Sequence, residues 1–362
     1  MTLATNRPLV RLAAALTLST LGAGPLAAAQ LEVPEDYPTI QSALDVAQAG
    51  DVVLVSKGTY HENVFFHGIG VTLKGKGKVL VKPTSNLPAI QFHNCVDSKI
   101  VNLRVDGLGQ SIGIKVNSVD DVLVKDCRVK NALGFGIWAD LGVGARLVDN
   151  KIVDTQGVAI KVRGDYAKVL ENRIEDASGD GIWVEGTFHR VEGNRIERAT
   201  QAGIRLPSGE ATQTLIADNR IDETAMVGLY AENLTVGNSI LDNRITGSGN
   251  QGMLLYGKGQ TVGGNKIKES GSEGIFANTT LTQLHGNKVA KSGKSGVWIV
   301  AGVQNSLTDN KIRKSTFDGL FVGGSAHTVI QNSMRKSGQL DLNDATGNSL
   351  FQGNDYGTSN LP

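Results

Sequence analysis

Two similar consecutive segments decide the fold of this chain: NRIEDASGDGIWVEGTFHRVEG (residues 172–193) and NRIERATQAGIRL (residues 194–206). Each begins with Asn-Arg-Ile and reaches a Gly-Ile pair nine residues later. Asparagines at the same place in the repeat recur every 22 to 25 residues, and we call them the ladder asparagines: Asn150, Asn172, Asn194, Asn219, Asn243, Asn265, Asn287, Asn310 and Asn332. A fixed period in this range is the signature of a solenoid.

Each repeat contains three short segments in which apolar and polar residues alternate, as at 190–192, 195–197 and 203–206. Alternation with a period of two indicates strands. Leucine-rich repeats have a similar period, but their L-x-x-L-x-L frame is missing here. Three strands per turn and no helix predict an all-β chain in which each repeat forms one coil of a parallel β-helix.

The ladder asparagines fit the tight corner between two strands of a coil. Asn tolerates the left-handed backbone conformation, and amides stacked coil upon coil can bond to one another. Cys127 takes a ladder position, in step with Asn102 and Asn150. Cys95 falls in a different turn, so we expect two buried thiols and no Cys95–Cys127 disulfide.

Residues 1–29 are typical of a signal peptide. Arg7 and Arg11 precede an apolar run that ends in three alanines. A short membrane anchor is the alternative, but the run is short for a span and is broken by Gly22, Gly24 and Pro25. We therefore expect a periplasmic or secreted protein, with no membrane span once the signal is removed.

The remaining chain divides by pattern. Residues 40–47 predict a short amphipathic helix with Thr39 as its N-cap, which would cover the open end of the first coil. The predicted organisation is a signal peptide at 1–29, an N-terminal cap at 30–50, parallel β-helix repeats at 51–345 and a C-terminal tail at 346–362.

Three features resemble the right-handed parallel β-helix proteins of the pectate-lyase-like superfamily. They are PTIQSALDVAQAGDVVLVSKGTYHENV (residues 38–64), the N-x-I … G-I-x-V repeat, and GNSLFQGNDYGTS (residues 347–359). The regular repeats are similar to those of periplasmic β-helix proteins of the nitrous-oxide-reductase maturation type. The resemblance implies a right-handed, single-stranded solenoid of about thirteen coils and leaves function open.

Catalytic motifs of the superfamily are missing from the sequence. There is no Asn-Thr-Asp or Gly-His-Gly as in polygalacturonases, no Asp-Pro-His-Asp as in alginate epimerases and no Gln-Ala-Val-Ala as in pectin esterases. The scattered histidines show no metal-ligand spacing, and two cysteines cannot form a four-cysteine zinc site. No metal and no cofactor is predicted.

The outward residue x of each G-I-x-V strand forms one column along the solenoid, which we call the stripe. All three tryptophans of the chain lie in it, a coincidence with a chance of roughly one in 500 for this period. Its members are Lys115, Trp138, Lys161, Trp183, Arg205, Tyr230, Leu254, Phe276, Trp298 and Phe321. Aromatic faces and cations predict contact with a polysaccharide that carries acidic groups. A self-stacking aromatic ladder and a protein-docking face are the alternatives.

The next outward position of the same strands holds Asp140, Arg163 and Glu185. The two acids lie two coils apart, roughly 10 Å, which is too far for a shared calcium ion or a glycosidase pair. A metal-free lyase or epimerase could instead use residues beside the stripe as base and charge clamp. The weak candidates are Lys161, Arg163, Glu185, His189 and Arg205. The alternative is that the arginines only pair with Asp140 and Glu185.

The residue after each ladder position is basic nine times, and we call this set the basic column: Arg128, Lys151, Arg173, Arg195, Arg220, Arg244, Lys266, Lys288 and Lys311. Acidic residues precede many ladder positions, and others follow nearby, so we expect a solvated, salt-bridged face. The chain has 36 basic and 35 acidic residues, a net charge of +1, which also speaks against a nucleic-acid partner.

These patterns predict an exported β-helix protein that binds an acidic polysaccharide along the stripe, with lyase or epimerase activity left open. The rival hypothesis is a structural or assembly protein of the cell envelope that docks another protein on the same face. The sequence does not indicate the oligomeric state.

Overall fold

The computed structural model describes residues 28–68, 70–209 and 211–361. Most of the predicted signal peptide, residues 1–27, lies outside this part of the chain. The described residues form a parallel β-solenoid of about 15 turns, so the predicted right-handed β-helix is confirmed and the predicted thirteen coils are close. No helix within the described ranges is long and apolar enough to cross a membrane.

Two parallel sheets run the length of the solenoid. The first has 26 strands, which are Gln30–Val33, Val52–His61, Thr72–Lys82, Lys99–Val101, Arg104–Asp106, Leu123–Lys125, Arg128–Lys130, Arg146–Val148, Lys151–Thr155, Lys168–Leu170, Arg173–Ala177, Arg190–Glu192, Arg195–Ala199, Leu215–Ala217, Arg220–Asp222, Ser239–Leu241, Arg244–Thr246, Thr261–Gly263, Lys266–Lys268, Gln283–His285, Lys288–Ala290, Ser306–Thr308, Lys311–Arg313, Thr328–Ile330, Ser333–Arg335 and Leu350–Gln352. Its last strand carries the solenoid pairing into the segment that was expected to be a tail.

The second sheet has 14 strands, one of which, Ala211–Thr212, lies off the main path. Its strands are Val64–Phe66, Ile90–His93, Ile114–Asn117, Phe135–Val143, Val158–Asp165, Ile182–Thr187, Ala202–Leu206, Ala211–Thr212, Val227–Ala231, Met253–Lys258, Ile275–Thr280, Val297–Ala301, Leu320–Val322 and Leu342–Asp344. These strands contain the G-I-x-V segments of the repeat.

The core is a set of apolar columns in which each residue packs on its equivalents in the coils above and below. Ile174 pairs with Ile196, and Ile196 with Ile221, all without exposed surface. The period-two alternation of each short strand sends these residues inward and their charged neighbours outward. The same alternation, repeated with a constant period, keeps the columns continuous.

The ladder asparagines form the predicted amide ladder inside the solenoid. The Oδ1 atom of Asn172 accepts from the backbone N–H and from the Nδ2 atom of Asn150, both at 3.0 Å. The Nδ2 atom of Asn172 donates to the carbonyl of Leu147 at 2.8 Å. This pattern repeats up to Asn332 and continues to Asn354, so buried polar groups are paired at each of these corners.

The predicted backbone conformation of these asparagines is wrong. The left-handed residue of each corner is the one before the ladder position, as at Asp149, Glu171 and Asp218, with φ between 54° and 56°. A ladder residue must point its side chain inward to bond its neighbours, so the residue before it makes the reversal. The acidic residues that precede many ladder positions therefore have a structural role.

Cys127 holds a ladder position, and its backbone N–H donates to Asn150 Oδ1 at 3.0 Å. The residue in register with it is Leu103, because Arg128 pairs with Arg104. Asn102 has a φ of 55° and takes the left-handed position instead, so its predicted ladder place is off by one residue. Cys95 and Cys127 are both buried and free, as expected. Burial raises the pKa of Cys127 to about 12.

The N-terminal helix spans Ile40–Leu44, three residues shorter than predicted, and Thr39 is its N-cap within a capping box with Ser42. The side chain of Gln41 accepts from the Phe65 backbone N–H at 2.7 Å and donates to the Phe65 carbonyl at 2.9 Å. Phe65 lies on the first strand of the second sheet. The helix therefore covers the open edge that the repeat leaves at its start.

Candidate functional site

The ten residues of the stripe lie in one uninterrupted column of the second sheet. Each is the direct pairing partner of the next, from Lys115 and Trp138 at one end to Trp298 and Phe321 at the other. All ten are partly exposed. The residues on either side of Trp183, which are Ile182 and Val184, are fully buried. The three tryptophans therefore lie on one wall, as the spacing predicts.

Cations alternate with aromatic rings in the first half of the stripe. The Nζ atom of Lys115 lies 4.3 Å from the centroid of the Trp138 ring, and that of Lys161 lies 5.0 Å from the Trp183 ring. The guanidinium of Arg205 lies between two rings, 5.4 Å from Trp183 and 5.0 Å from Tyr230. These distances are within the range of cation–π contacts.

The second half of the stripe holds aromatic rings and Leu254, with no cation. Phe276 and Trp298 have ring centroids 5.9 Å apart, and Trp298 and Phe321 have centroids 5.5 Å apart. Leu254 interrupts the column, but Tyr256 bridges the gap at 6.3 Å from Tyr230 and 6.1 Å from Phe276. The rings thus contact one another, as a self-stacking ladder requires, and still keep part of each surface exposed.

Tyr256 was not included in the stripe by sequence reasoning because it lies in the neighbouring outward column. Its place two residues after Leu254 in a G-x-x-x-Y segment was the available signal. The aromatic surface is therefore wider at its middle than one column.

The charged candidates beside the stripe are held in ion pairs. The Nε atom of Arg163 contacts Asp140 at 2.6 Å, and the Nζ atom of Lys161 contacts Glu185 at 2.9 Å. The indole N–H of Trp183 also donates to Glu185, at 2.5 Å. Arg163 therefore pairs with Asp140 as the alternative predicts, whereas Glu185 pairs with a lysine of the stripe.

Arg205 bridges two carboxylates that sequence reasoning did not connect with it. Its Nε atom contacts Asp180 at 2.8 Å and its Nη1 atom contacts Glu232 at 2.6 Å. Burial lowers the pKa of Arg205, but the bonds to Asp180 and Glu232 outweigh it, and the pKa is raised overall. In the sequence, Asp180 comes just before the Gly-Ile pair, and this spacing indicates that it lies at the start of the strand.

The side chain of His189 points into the solenoid, away from the outward side chains of the other candidates. Its ring is 1% exposed, its Nδ1 atom accepts from the Ala167 N–H at 3.1 Å, and its Nε2 atom lies 3.1 Å from the Glu185 carbonyl. Burial lowers its pKa and favours the neutral form. His327 makes the same contacts, with the Asn305 N–H and the Gly323 carbonyl. Both histidines occupy a second interior ladder, and their bonding explains their place there.

The basic column is also in register, and within the described residues its ion pairs are confined to the four members from Lys151 to Arg220. Lys151 and Arg173 contact Glu175, and Arg220 contacts Asp222 at 2.5 Å. Arg195 contacts Glu197 in the same way. Within the described residues, Arg244 and the three lysines after it form no ion pair. The expected salt-bridged face is thus wrong beyond Asp222, because the position two residues after the base then reads Thr246, Lys268, Ala290 and Arg313.

The structure resembles several solved proteins. A periplasmic alginate epimerase, AlgG, aligns with a TM-score of 0.61 at 15% identity over 86% of this chain and 84% of its own. A mannuronic-acid-specific polysaccharide family 6 lyase from human gut microbiota aligns with a TM-score of 0.60 at 14% identity, over 87% and 86%. The Dettilon tailspike protein aligns with 0.63 at 15%, over 87% and 68%. At these identities the likeness is one of fold.

By sequence, this chain matches no curated protein. The family model described as the right-handed beta helix region does match it, at residues 46–187, 88–243 and 141–289. The three matches overlap and together cover more than half of the chain, in the segment that carries most of the ladder and most of the stripe. The chain belongs to the right-handed β-helix family.

Proposed function

We propose that this protein binds a polysaccharide along the stripe. One observation carries the proposal: one continuous outward column over ten successive coils holds aromatic or cationic side chains at every position except Leu254, and all ten remain partly exposed. Rings that face water in a contiguous row are typical of a contact surface. The C–H faces of sugars stack on such rings, and a linear polymer can follow the row.

The length of the row suits a chain rather than a single sugar. Ten coils about 4.8 Å apart span roughly 43 Å. Two structures with the same fold are named as an alginate epimerase and a mannuronic-acid-specific polysaccharide lyase. Their names support a polysaccharide as the class of ligand.

Stacking is the main source of affinity in this proposal, since most charges along the stripe are already neutralised. Lys161 pairs with Glu185, and Arg205 with Asp180 and Glu232. Lys115 is the stripe cation that forms no ion pair among the described residues. An acidic group on the polymer would therefore be taken at the Lys115 end.

The geometry favours binding over catalysis. A lyase or epimerase needs a base that is unprotonated and can reach the substrate. Lys161 is held by a carboxylate, the pKa of Arg205 is raised, and His189 is buried. Arg163 is bonded to Asp140. If the protein nevertheless cleaves alginate or pectate, the absorbance of unsaturated chain ends would rise during incubation.

The proposed location is the periplasm or the exterior of the cell, and it depends on the pattern of residues 1–29. N-terminal sequencing of the protein isolated from its host tests this directly. A mature chain that begins near residue 30 supports export, and one that begins at Met1 contradicts it.

The binding proposal is tested by fluorescence titration with alginate, pectate and neutral glucans. We expect quenching of the tryptophan emission by at least one polymer, and about a tenfold weaker affinity in Trp183→Ala, which removes one stacked ring. Phe188→Ala is the matched control, because Phe188 is an exposed ring outside the stripe, stacked on Tyr166.

Folding of both variants is checked by circular dichroism. The absence of a response to every polymer, or equal losses in the two variants, contradicts the proposal. A protein partner whose binding needs Trp183 would then favour the docking alternative.

A further inference from the structure

A strip of cations that form no ion pair among the described residues lies on the first sheet, away from the stripe. Six residues define this basic strip: Arg244, Lys266, Lys268, Lys288, Lys311 and Arg313. All six are exposed, and within the described ranges none of them forms an ion pair within 4.0 Å. Four of them stack directly in register on successive coils.

In the first half of the basic column, most of the cations form ion pairs within the protein. There Glu175, Glu197 and Asp222 form ion pairs with the four members of the basic column from Lys151 to Arg220. The strip has the same backbone and register but lacks these acids. Like charges about 4.8 Å apart repel one another. Glu269 interacts electrostatically with Lys268, but its ion pair is with Lys291, and no carboxylate of the described residues forms an ion pair with the strip itself.

An open groove of about 450 Å³ runs beside the strip. Its lining includes small residues such as Gly247, Gly271 and Gly293, together with the charged residues Glu269, Lys291 and Lys314. Lys291 is bonded to Glu269 at 2.7 Å. The groove and the strip run in the same direction, along the solenoid axis.

We propose that the basic strip and this groove bind a linear anionic polysaccharide, at a site separate from the stripe. The four stacked cations span roughly 14 Å in single file, which suits an extended polymer with charges along its length. The inference does not rest on the stripe. In this proposal acidic polymers bind on the basic strip, which is a separate surface.

Single-stranded nucleic acids and anionic membrane surfaces fit the basic strip less well. The strands that carry the strip have no aromatic residue on which a base of a single-stranded nucleic acid could stack: Arg244–Thr246, Lys266–Lys268, Lys288–Ala290 and Lys311–Arg313. They also expose no large apolar side chain of the kind that enters a bilayer surface.

The test compares two double variants of the full chain that make the same change of charge. Lys266→Gln with Lys288→Gln removes two unpaired cations, and Arg173→Gln with Arg195→Gln removes two that are ion-paired. Each is made in the Trp183→Ala background, so that the stripe contributes less to binding. The probes are fluorescein-labelled heparin, labelled alginate, neutral dextran and duplex DNA.

We expect heparin, alginate or both to bind with strong salt dependence, and the lysine variant to lose about tenfold in affinity. The arginine variant should stay within about twofold. Failure of both anionic polysaccharides to bind, equal losses in the two variants, or tighter binding of DNA would each overturn the inference. Because both double variants are compared with the Trp183→Ala protein, a loss confined to the lysine variant reports on the basic strip, whereas the effect of Trp183→Ala alone reports on the stripe.

Discussion

The side chains that carry the site are held by residues one coil away, more than by their neighbours in sequence. Lys161 reaches forward to Glu185, and Arg205 reaches back to Asp180 and forward to Glu232. Each contact spans one repeat. A single substitution in one coil therefore changes the surroundings of the next coil. The second interior ladder, which contains His189, allows a test at the level of one residue.

His189 makes the stability of the protein depend on pH. Burial lowers its pKa, so the unfolded chain binds a proton that the folded chain does not, and stability falls as the pH drops below the ordinary histidine pKa of about 6.5. His189→Asn keeps an acceptor where the same ladder elsewhere has Asn238 and Asn305. We expect it to remove about 1–2 kcal/mol of the stability lost between about pH 7.5 and about pH 5.

Urea unfolding at the two pH values measures this effect. His285→Asn is the control, since His285 is exposed on the first sheet. If the His189 and His285 variants retain the same pH dependence as the parent, burial of His189 does not couple folding to proton binding.

At the scale of elements, the short strands are stabilised by stacking, and the ends of the stack need separate protection. The helix Ile40–Leu44 supplies it at the N-terminal end, where Glu62 accepts from the backbone N–H groups of Ile40 and Gln41 at 3.0 and 2.9 Å. The Gln41 side chain then takes the place of a neighbouring strand against Phe65. The cap is thus bonded to the sheet edge as well as packed on it.

Gln41→Ala removes both bonds to Phe65 and opens the edge of the second sheet. We expect a loss of about 1 kcal/mol or more in stability and a new tendency to self-associate, because exposed strand edges pair with other chains. Thermal unfolding and sedimentation velocity at several concentrations measure the two effects. The control is Gln48→Ala, an exposed glutamine outside the helix; identical behaviour of the two variants would show that the cap contact does not protect the edge.

The whole molecule is a one-dimensional stack in which each coil contacts mainly the coils before and after it. Its stability should then behave as a sum of coil and interface contributions. The amide ladder offers a way to measure this, since each asparagine bonds directly to the next one.

Two pairs of substitutions test how far coupling extends. Asn194 and Asn219 bond directly to each other, so Asn194→Ala and Asn219→Ala each remove this shared bond. The stability lost in the double variant should therefore differ from the sum of the two single losses by about 1 kcal/mol or more. Asn172→Ala and Asn310→Ala lie several coils apart and should add within about 0.5 kcal/mol. Urea unfolding free energies of the singles and doubles give both numbers. Strong coupling of the distant pair would rule out the nearest-neighbour picture.

The sequence by itself determined the β-helix, the position of the ladder asparagines and the ten members of the stripe. It could do so because the coils stack in register, and a constant period then turns sequence spacing into neighbourhood in space. The same logic predicted the correct wall for Trp138, Trp183 and Trp298.

Only the tertiary structure decided which charged groups meet and which remain unpaired. Three features depend on the exact residue at which a corner of the coil lies: the inward side chain of His189, the two carboxylates that contact Arg205, and the left-handed backbone of Asn102. Moving the corner by one residue would change all three. The ion pairs likewise depend on side-chain reach between coils, which the period does not specify. For that reason the spacing predicts the stripe, whereas the tertiary structure decides how its cations pair and which charges of the basic strip stay without an ion pair.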